Sequence, residues 1–233
     1  MAKRPPGSRW RVIVSAAVLV LVLGGLVALA YFSPLMSVRS VEVTGTTTVG
    51  ADEVLRVAQV PQGAPLLQVD TAVIAGRVSK LPAVESVNVT RGYPSTLTIE
   101  VTERTPVVVV ERPPGIGVMD RLGMVYLTFD SVKALPKDLR GLPMLQMSDP
   151  AAGNPTTVAA LTVVQELPDW LRSRVTVVEA GSPSDVSLQL RSGRKVVWGD
   201  AERTPDKAEA LRHLLTVEGR EYNVSSPEFA SVR

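Results

Sequence analysis

The chain has 233 residues, of which 45% are apolar and 21% charged, with 25 Lys and Arg, 23 Asp and Glu, and no cysteine. That length can bury one large core or two small ones, and the lack of cysteine excludes disulfide bonds and thiol chemistry. Four of the basic residues precede residue 12, so the rest of the chain carries 21 basic against 23 acidic residues. This balance argues against a nucleic-acid-binding domain.

The first long feature of the chain is an apolar run from Val12 to Phe32, 21 residues without a charge. As a helix it spans about 32 Å, enough for the hydrocarbon core of a bilayer, so it predicts a transmembrane segment over 12–34. The residues before it carry only positive charge, on Lys3, Arg4, Arg9 and Arg11. The positive-inside rule therefore predicts a single-pass protein of the plasma membrane, with residues 1–11 in the cytoplasm and the rest outside it.

A cleaved signal peptide is the alternative, because Ala28-Leu29-Ala30 resembles a small-residue cleavage site. The apolar runs of signal peptides have about 7–15 residues, and this one is longer, which favours a retained anchor. Both interpretations place the region after residue 37 outside the cytoplasm.

The next 65 or so residues predict two short helices packed on a small sheet. Hydrophobic periodicity predicts a strand over 38–45, a helix over 51–58, a helix from its N-cap Asp70 to about Leu81, and two strands on either side of a loop at 92–95. Neither helix is long enough to be stable alone in water, so both must pack on the sheet that the hairpin supplies.

The remaining residues predict a second domain that is mostly antiparallel β with two helices. Strands are predicted over 107–110, 118–120, 124–128, 174–180, 186–190, 195–199 and 221–225, and helices from Asn154-Pro155 and from Thr204-Pro205. Arg112 to Gly117, with two prolines and two glycines, is predicted as a turn or loop. The fold class is therefore α+β, after a single N-terminal helix.

Motifs that carry catalysis are missing from the sequence, so we expect a protein that is not an enzyme and has no cofactor or metal. His213 is the single histidine and lies beside Leu214 and Leu215, so it predicts a surface or half-buried helix position. Asp120 and Asp130 predict turn and solvent-facing groups around a hairpin. The strand at the end of the chain, over 221–225, predicts an edge that nothing after it need cover and that could accept a strand from another protein.

Together these segments resemble the FtsQ/DivIB family of bacterial cell-division proteins, in its actinobacterial form. The resemblance rests on six segments in the family's order: VRSVEVTG (38–45), GAPLLQVD (63–70), LPAVESVNVTRGYPSTLTIEVTERTPV (81–107), VMDRLGMVY (118–126), VWGDAERTPDKAEAL (197–211) and YNVSSPE (222–228).

The resemblance implies a domain order and a role. It implies a cytoplasmic tail (1–11), a transmembrane helix (12–34), a POTRA domain (37–105), a β domain (106–228) and a C-terminal tail (229–233). The implied role is a non-enzymatic scaffold of the divisome at the division septum. Such a scaffold binds FtsB-like and FtsL-like division proteins and supports septal peptidoglycan synthesis.

Within this family a late strand of the β domain receives a strand of FtsB, which implies partner contacts at Tyr222, Asn223, Val224 and Ser225. Many relatives have aspartate where Asn223 stands, so a partner cation paired with that charge would be lost here. Because proline removes a ladder N–H, Val224→Pro is expected to abolish partner binding and leave the fold intact.

Two other functions stay open at this point. One is a POTRA-type chaperone or binding module for exported polypeptides, although such proteins carry several POTRA domains. The other is a cell-wall glycan hydrolase that uses Asp120 or Glu179, which would need two carboxylates positioned in a cleft.

Overall fold

The structure, a computed structural model, describes residues 7–32 and 36–233, and in the first helix it describes the side chains of residues 10–25. The chain forms two compact units that divide between Glu103 and Arg104. Each unit has its own sheet and its own hydrophobic core.

Helix α1 spans Gly7–Phe32 and contains the apolar run. Over the part of the chain that the structure describes, no helix is long and apolar enough to cross a membrane. Residues 1–6 of the predicted cytoplasmic tail and residues 33–35 at the predicted end of the span lie outside the described residues.

The rest of the first unit follows the predicted order of strand, helix, helix, strand, strand. Its elements are β1 (Ser40–Thr44), α2 (Ala51–Ala58), α3 (Thr71–Val78), β2 (Val84–Gly92) and β3 (Thr96–Glu103). The strands form one sheet in the order β1-β3-β2, in which β1 is parallel and β2 antiparallel to β3.

The central strand β3 supplies the core of this unit. Leu97, Ile99 and Val101 alternate with polar residues and are buried in one cluster with Val54 of α2 and Ile74 of α3. Since each helix has only eight residues, this burial is what stabilises it.

The start of α3 is as predicted and its end is not. Asp70 Oδ1 accepts hydrogen bonds from the N–H groups of Ala72 at 3.0 Å and Val73 at 3.1 Å. The helix ends at Val78 rather than near Leu81 because the N–H groups of Lys80 and Leu81 bond to carbonyls three residues back, as in a 3₁₀ turn. A 3₁₀ turn over Leu66–Gln68 was also not predicted.

The second unit is a nine-stranded sheet with three helices. Its elements are β4 (Pro106–Arg112), β5 (Gly115–Asp120), β6 (Val125–Phe129), β7 (Met144–Gln146), α4 (Pro155–Glu166), α5 (Asp169–Arg172), β8 (Val175–Ser182), β9 (Asp185–Leu190), β10 (Lys195–Gly199), α6 (Thr204–Leu214), β11 (Glu221–Asn223) and β12 (Ser231–Val232). The strand order is β12-β11-β10-β9-β8-β7-β4-β5-β6, with five antiparallel and three parallel pairs. The α+β class and the mostly antiparallel sheet are therefore confirmed.

Strand β4 is covered on both faces, which explains its run of four valines. Val108 and Val110 belong to the core that includes α4, whereas Val109 packs on the other face with Leu135 and Leu139. Strands buried on both faces read as continuous apolar runs rather than as alternation.

The predicted loop over Arg112–Gly117 is wrong beyond Pro114, because β5 begins at Gly115. A Cβ added to Gly115 would overlap the carbonyl oxygen of Phe129, and one added to Gly117 would lie 2.5 Å from Cγ1 of Val125. These glycines therefore mark the close approach of β6 and not a turn.

Both predicted helices of this unit begin where the sequence indicates, and several short elements were missed. Asn154 caps α4 by accepting from the N–H groups of Thr156 and Thr157, and α6 begins at Thr204. The short elements β7, α5 and β12 have two to four residues each and carry no periodic signal. Residues 229–233, expected to form a tail, contain β12.

Candidate partner-binding edge

Strand β11, the predicted edge, is the second strand from the end of the sheet. On one side it runs parallel to β10, with Tyr222 opposite Val196, and on the other it runs antiparallel to β12, with Tyr222 opposite Val232. The expectation that nothing covers this strand is therefore wrong. The open edge on this side of the sheet belongs to β12.

Tyr222 anchors β11 in the core. Its side chain is 0% exposed, and its hydroxyl donates to the carbonyl oxygens of Val217 at 2.8 Å and Gly219 at 3.1 Å. The guanidinium of Arg194 lies over its ring, 5.6 Å from the centroid. The side chain is thus buried and bonded inside this unit, so Tyr222 anchors the strand and does not offer its side chain to a partner.

The three residues after Tyr222 alternate between core and surface. Val224 is buried, and its N–H donates to the carbonyl oxygen of Val197 at 3.0 Å. Asn223 and Ser225 are exposed, and Asn223 Oδ1 accepts from the N–H of Ser225 at 3.0 Å and from its hydroxyl at 2.8 Å. An aspartate at position 223 would offer the same acceptor, so this Asx turn does not depend on which of the two residues is present.

Gly199 lies against this turn, and a buried lysine bonds to the residue after that glycine. Gly199 has φ +83°, and a Cβ there would lie 2.9 Å from Cβ of Ser225. Lys207 of α6 is only 2% exposed, and its Nζ donates to the carbonyl oxygen of Asp200 at 3.0 Å and to its carboxylate at 2.5 Å. The hydrogen bond from Lys207, together with the attraction of its charge, lowers the pKa of Asp200 although burial opposes this.

The segment between β11 and β12 is tied to the start of α6. Arg203 Nε donates to Asp206 Oδ2 at 2.9 Å, and its NH1 lies 2.5 Å from Glu228 Oε1. A backbone hydrogen bond and the bond from Arg203 hold the pKa of Glu228 below its usual range. Both partners of this ion pair are half exposed, so it positions the segment more than it stabilises the fold.

The outer side of β12 presents backbone groups, and an exposed aromatic residue precedes the strand. Glu221 and Arg233 exchange two backbone hydrogen bonds, of 3.0 and 2.8 Å. In an antiparallel ladder the next pair, Tyr222 and Val232, is not hydrogen-bonded, so the N–H and C=O of Val232 face away from β11. Phe229, two residues before β12, is 86% exposed. Sequence reasoning missed Phe229 and Val232, because only the pairing of β12 makes them part of an edge.

Asp120 is a structural residue and not the solvent-facing group that was predicted. Its side chain is 0% exposed, and Oδ1 accepts from the N–H groups of Leu122 at 2.9 Å and Met124 at 2.8 Å. Its other oxygen pairs with Arg104 at 2.5 Å. Both carboxylate oxygens are bonded within the unit and the side chain is buried, so this carboxylate is not available to a substrate.

Glu179 is likewise held by neighbours. Lys195 Nζ lies 2.7 Å from Glu179 Oε2, and the Ser187 hydroxyl donates to the same oxygen at 3.2 Å. The hydrogen bond from Lys195 is the main reason that the pKa of Glu179 is lowered. Glycoside hydrolysis needs an acid with a raised pKa, so the geometry argues against Glu179 in that role.

His213 lies on the exposed surface of α6, as predicted. Its Nε2 is 3.2 Å from Glu209 Oε1, and its side chain is 77% exposed. Among residues 7–32 and 36–233, no group of three or more His, Asp or Glu is placed to hold a metal ion.

Two family models match the chain in the order of its two units. A POTRA domain of FtsQ type matches residues 36–104, and the C-terminal domain of cell division protein FtsQ/DivIB matches residues 109–232. The chain belongs to the FtsQ/DivIB family. The resemblance seen in the sequence is thereby confirmed.

Several relatives named cell division protein FtsQ align with nearly all of this chain. Those of Mycolicibacterium smegmatis and Mycobacteroides abscessus are each 42% identical to it, over 96% and 92% of its length. The chain spans about two thirds of these proteins, 64% and 67%. The relative from Corynebacterium glutamicum is 34% identical over 93% of this chain and 94% of its own length. These FtsQ/DivIB relatives carry the name of a cell division protein and not that of an enzyme.

Proposed function

We propose that this FtsQ/DivIB chain is a membrane-anchored, non-enzymatic scaffold of the divisome at the division septum. It binds FtsB-like and FtsL-like proteins outside the cytoplasm and so supports septal peptidoglycan synthesis. The observation that carries the proposal is the open outer edge of β12, at the end of a nine-stranded sheet in a unit that matches the family's C-terminal domain.

The proposed contact is a partner strand added to β12. An edge strand binds another chain through its unpaired N–H and C=O groups, and affinity then comes from the backbone. Val232 directs these groups outward, and Phe229, two residues before β12, offers an exposed ring. The contact residues predicted from the sequence then act indirectly, because they hold β12 in place. They are Tyr222, Asn223, Val224 and Ser225. Direct pairing with β11 would require β12 to leave.

Membrane attachment is a separate part of the proposal. It is supported by the 21 uncharged residues from Val12 to Phe32 and by the four basic residues before them. A double substitution of Leu19 and Val20 by arginine places two charges at the centre of this run. The parent chain is expected in the membrane fraction after carbonate washing and the substituted chain in the soluble fraction.

The domain limits proposed from the sequence place the POTRA domain over 37–105. The β domain then runs from 106 and includes β12. A chaperone role for exported polypeptides has less support, since one POTRA domain is matched in this chain.

The test is a titration of the full-length chain in detergent micelles with the ectodomain of the co-resident FtsB-like protein. The variant Val232→Pro removes the outward N–H, and its control Val232→Ala keeps it. We expect the proline variant to lose binding, by about tenfold or more in Kd, and the alanine variant to bind like the parent. Phe229→Ser tests the aromatic contact and should weaken binding without changing thermal stability.

Two outcomes would contradict the proposal. Equal binding by Val232→Pro and the parent would rule out strand addition at β12. No binding by the parent, even when an FtsL-like partner is added, would rule out the scaffold role as stated.

A further inference from the structure

Four arginines from separate parts of the sequence meet at one end of the nine-stranded sheet. Arg174 precedes β8, Arg191 and Arg194 flank the turn between β9 and β10, and Arg212 lies in the last turn of α6. The first three line one pocket of about 540 Å³ together with Leu190, Ser192 and Leu215. Among the residues that the structure describes, no carboxylate lines this pocket.

The β9–β10 turn fixes two of these arginines. The N–H of Leu190 donates to the carbonyl oxygen of Arg194 at 2.9 Å, and that of Gly193 donates to the carbonyl oxygen of Leu190 at 2.8 Å. Gly193 has φ +83°, the conformation that a tight turn requires at this position. Arg191 is also joined to the neighbouring strand, since its N–H donates to the carbonyl oxygen of Arg174 at 2.7 Å.

Aromatic rings lie against three of the four guanidinium groups. Arg174 and Arg212 both lie over the ring of Trp170, 5.8 and 5.2 Å from its centroid. Arg194 lies over Tyr222 and donates to the carbonyl oxygen of Leu215 at 3.3 Å. A guanidinium stacked on a ring keeps the N–H donors at its edge, which match the two oxygens of a carboxylate.

The charge of this pocket is not balanced within the unit. Across the described residues, none of Arg174, Arg191 and Arg194 forms an ion pair with a carboxylate. The neighbouring Arg212 is paired with Glu209 only at 3.8 Å, with both side chains more than half exposed. The pocket therefore offers positive charge beside the apolar side chains of Leu190 and Leu215.

We propose that this pocket, defined by Arg174, Arg191, Arg194, Leu190 and Leu215, is a second docking site that takes an acidic segment of a protein partner. The segment carries at least two carboxylates next to an apolar side chain. A phosphate-bearing ligand fits less well, because two of the lining residues are leucines, which contact an apolar side chain better than a phosphate. The site is distinct from β12 and rests on the proposed function only in that its ligand is a protein.

The experiment titrates the full-length chain in detergent micelles with a synthetic twelve-residue peptide of alternating glutamate and leucine. A peptide of alternating glutamine and leucine is the ligand control. The pocket variant replaces Arg174, Arg191 and Arg194 by glutamate. The matched control variant replaces the exposed residues Arg112, Lys133 and Lys137 by glutamate, which changes the net charge equally. A third variant with glutamine at the three pocket positions removes the charge without reversing it, and thermal unfolding checks that each variant is folded.

We expect the parent to bind the glutamate peptide more tightly than the glutamine peptide, with an affinity that falls as salt rises. The pocket variants should lose about 30-fold in affinity and the control variant less than about threefold. Equal binding of both peptides, or an equal loss in the control variant, would overturn the proposal.

A further arm uses vesicles of phosphatidylglycerol. Binding of vesicles, but not of the glutamate peptide, in a manner that needs the three arginines would overturn the protein-ligand assignment in favour of an anionic lipid. Strand addition is tested with the FtsB-like ectodomain, so a parent chain that binds the ectodomain but not the glutamate peptide rejects this site and leaves the proposed function standing.

Discussion

Tyr222 and Val232 face each other across the last two strands of the sheet, and their backbone groups have opposite orientations toward the open edge. Val224, the residue after β11, has its N–H already bonded to the carbonyl oxygen of Val197 in β10, whereas the N–H of Val232 points outward. Proline at these positions should therefore have different consequences.

Val224→Pro is expected to destabilise the fold, in contrast to the intact fold expected from the sequence, because Val224 is buried and its N–H is bonded. The substitution removes the bond to Val197 and places a ring in the core, at a cost of about 3 kcal/mol or more. Val232→Pro should cost less than about 1 kcal/mol, since no ladder bond is lost. Urea unfolding of both variants and the parent makes the measurement. Equal destabilisation would show that the register of β11 and β12 differs from that described.

A comparison of two glycines tests the close contact under the Asn223–Ser225 turn. Gly199 and Gly193 both have φ +83°, but only at Gly199 would a Cβ meet another residue, Ser225. Gly193→Ala should cost about 1–2 kcal/mol from the backbone conformation alone. Gly199→Ala should cost at least about 1 kcal/mol more, because Ser225 must shift. Denaturant unfolding measures both values. Equal losses of stability would mean that the contact between position 199 and Ser225 does not affect stability.

The sequence predicts most of the elements, because their signals are local. Asp70 and Asn154 predict the starts of two helices because their side chains can accept hydrogen bonds from the first turn. The alternation of Leu97, Ile99 and Val101 with polar residues predicts β3. These signals depend on the residues next to one another in the chain and survive whatever the tertiary arrangement is.

The parts that were missed depend on partners distant in sequence. Strand β12 has two residues and exists because β11 pairs with it. Asp120 is buried because Arg104 reaches it from the start of the unit. The arginine pocket could not be predicted from the near-neutral net charge of this region. Arg174 and Arg191 come together only through the pairing of β8 with β9.

The Lys207–Asp200 pair should show an asymmetry on truncation. Lys207 is 2% exposed, whereas the Asp200 side chain is 48% exposed and can be hydrated if its partner is lost. Lys207→Met should therefore cost about 1–2 kcal/mol, and Asp200→Ala, which leaves a buried ammonium with one carbonyl acceptor, about 3 kcal/mol or more.

The exposed pair Arg56 and Glu53, 3.5 Å apart, is the control, and Arg56→Met and Glu53→Ala should each cost less than about 0.5 kcal/mol. Thermal and denaturant unfolding at pH 7 provide the four values. A larger loss for Lys207→Met than for Asp200→Ala would mean that the lysine is held mainly by packing of its aliphatic stem.

Glu103 should make the stability of the first unit depend on pH. Although partial burial raises its pKa, bonds from the Thr48 hydroxyl and from the N–H groups of Thr47, Thr48 and Val49 outweigh this and lower the pKa from 4.5 to about 2. A group whose pKa is lowered by folding stabilises the fold above its unfolded value. This stabilisation is therefore complete above about pH 4.5 and is lost as the pH falls toward 2.

Glu103→Gln should cost about 1–2 kcal/mol at pH 7, and the difference in unfolding free energy from the parent should shrink as the pH falls from 4.5 to 2. Glu100→Gln, on the exposed side of the same strand, removes an equal charge and is the control. Urea unfolding of the three proteins at intervals from pH 7 to pH 2 gives their free energies of unfolding. A difference between Glu103→Gln and the parent that stays constant over this range would mean that the charge of Glu103 does not contribute to stability.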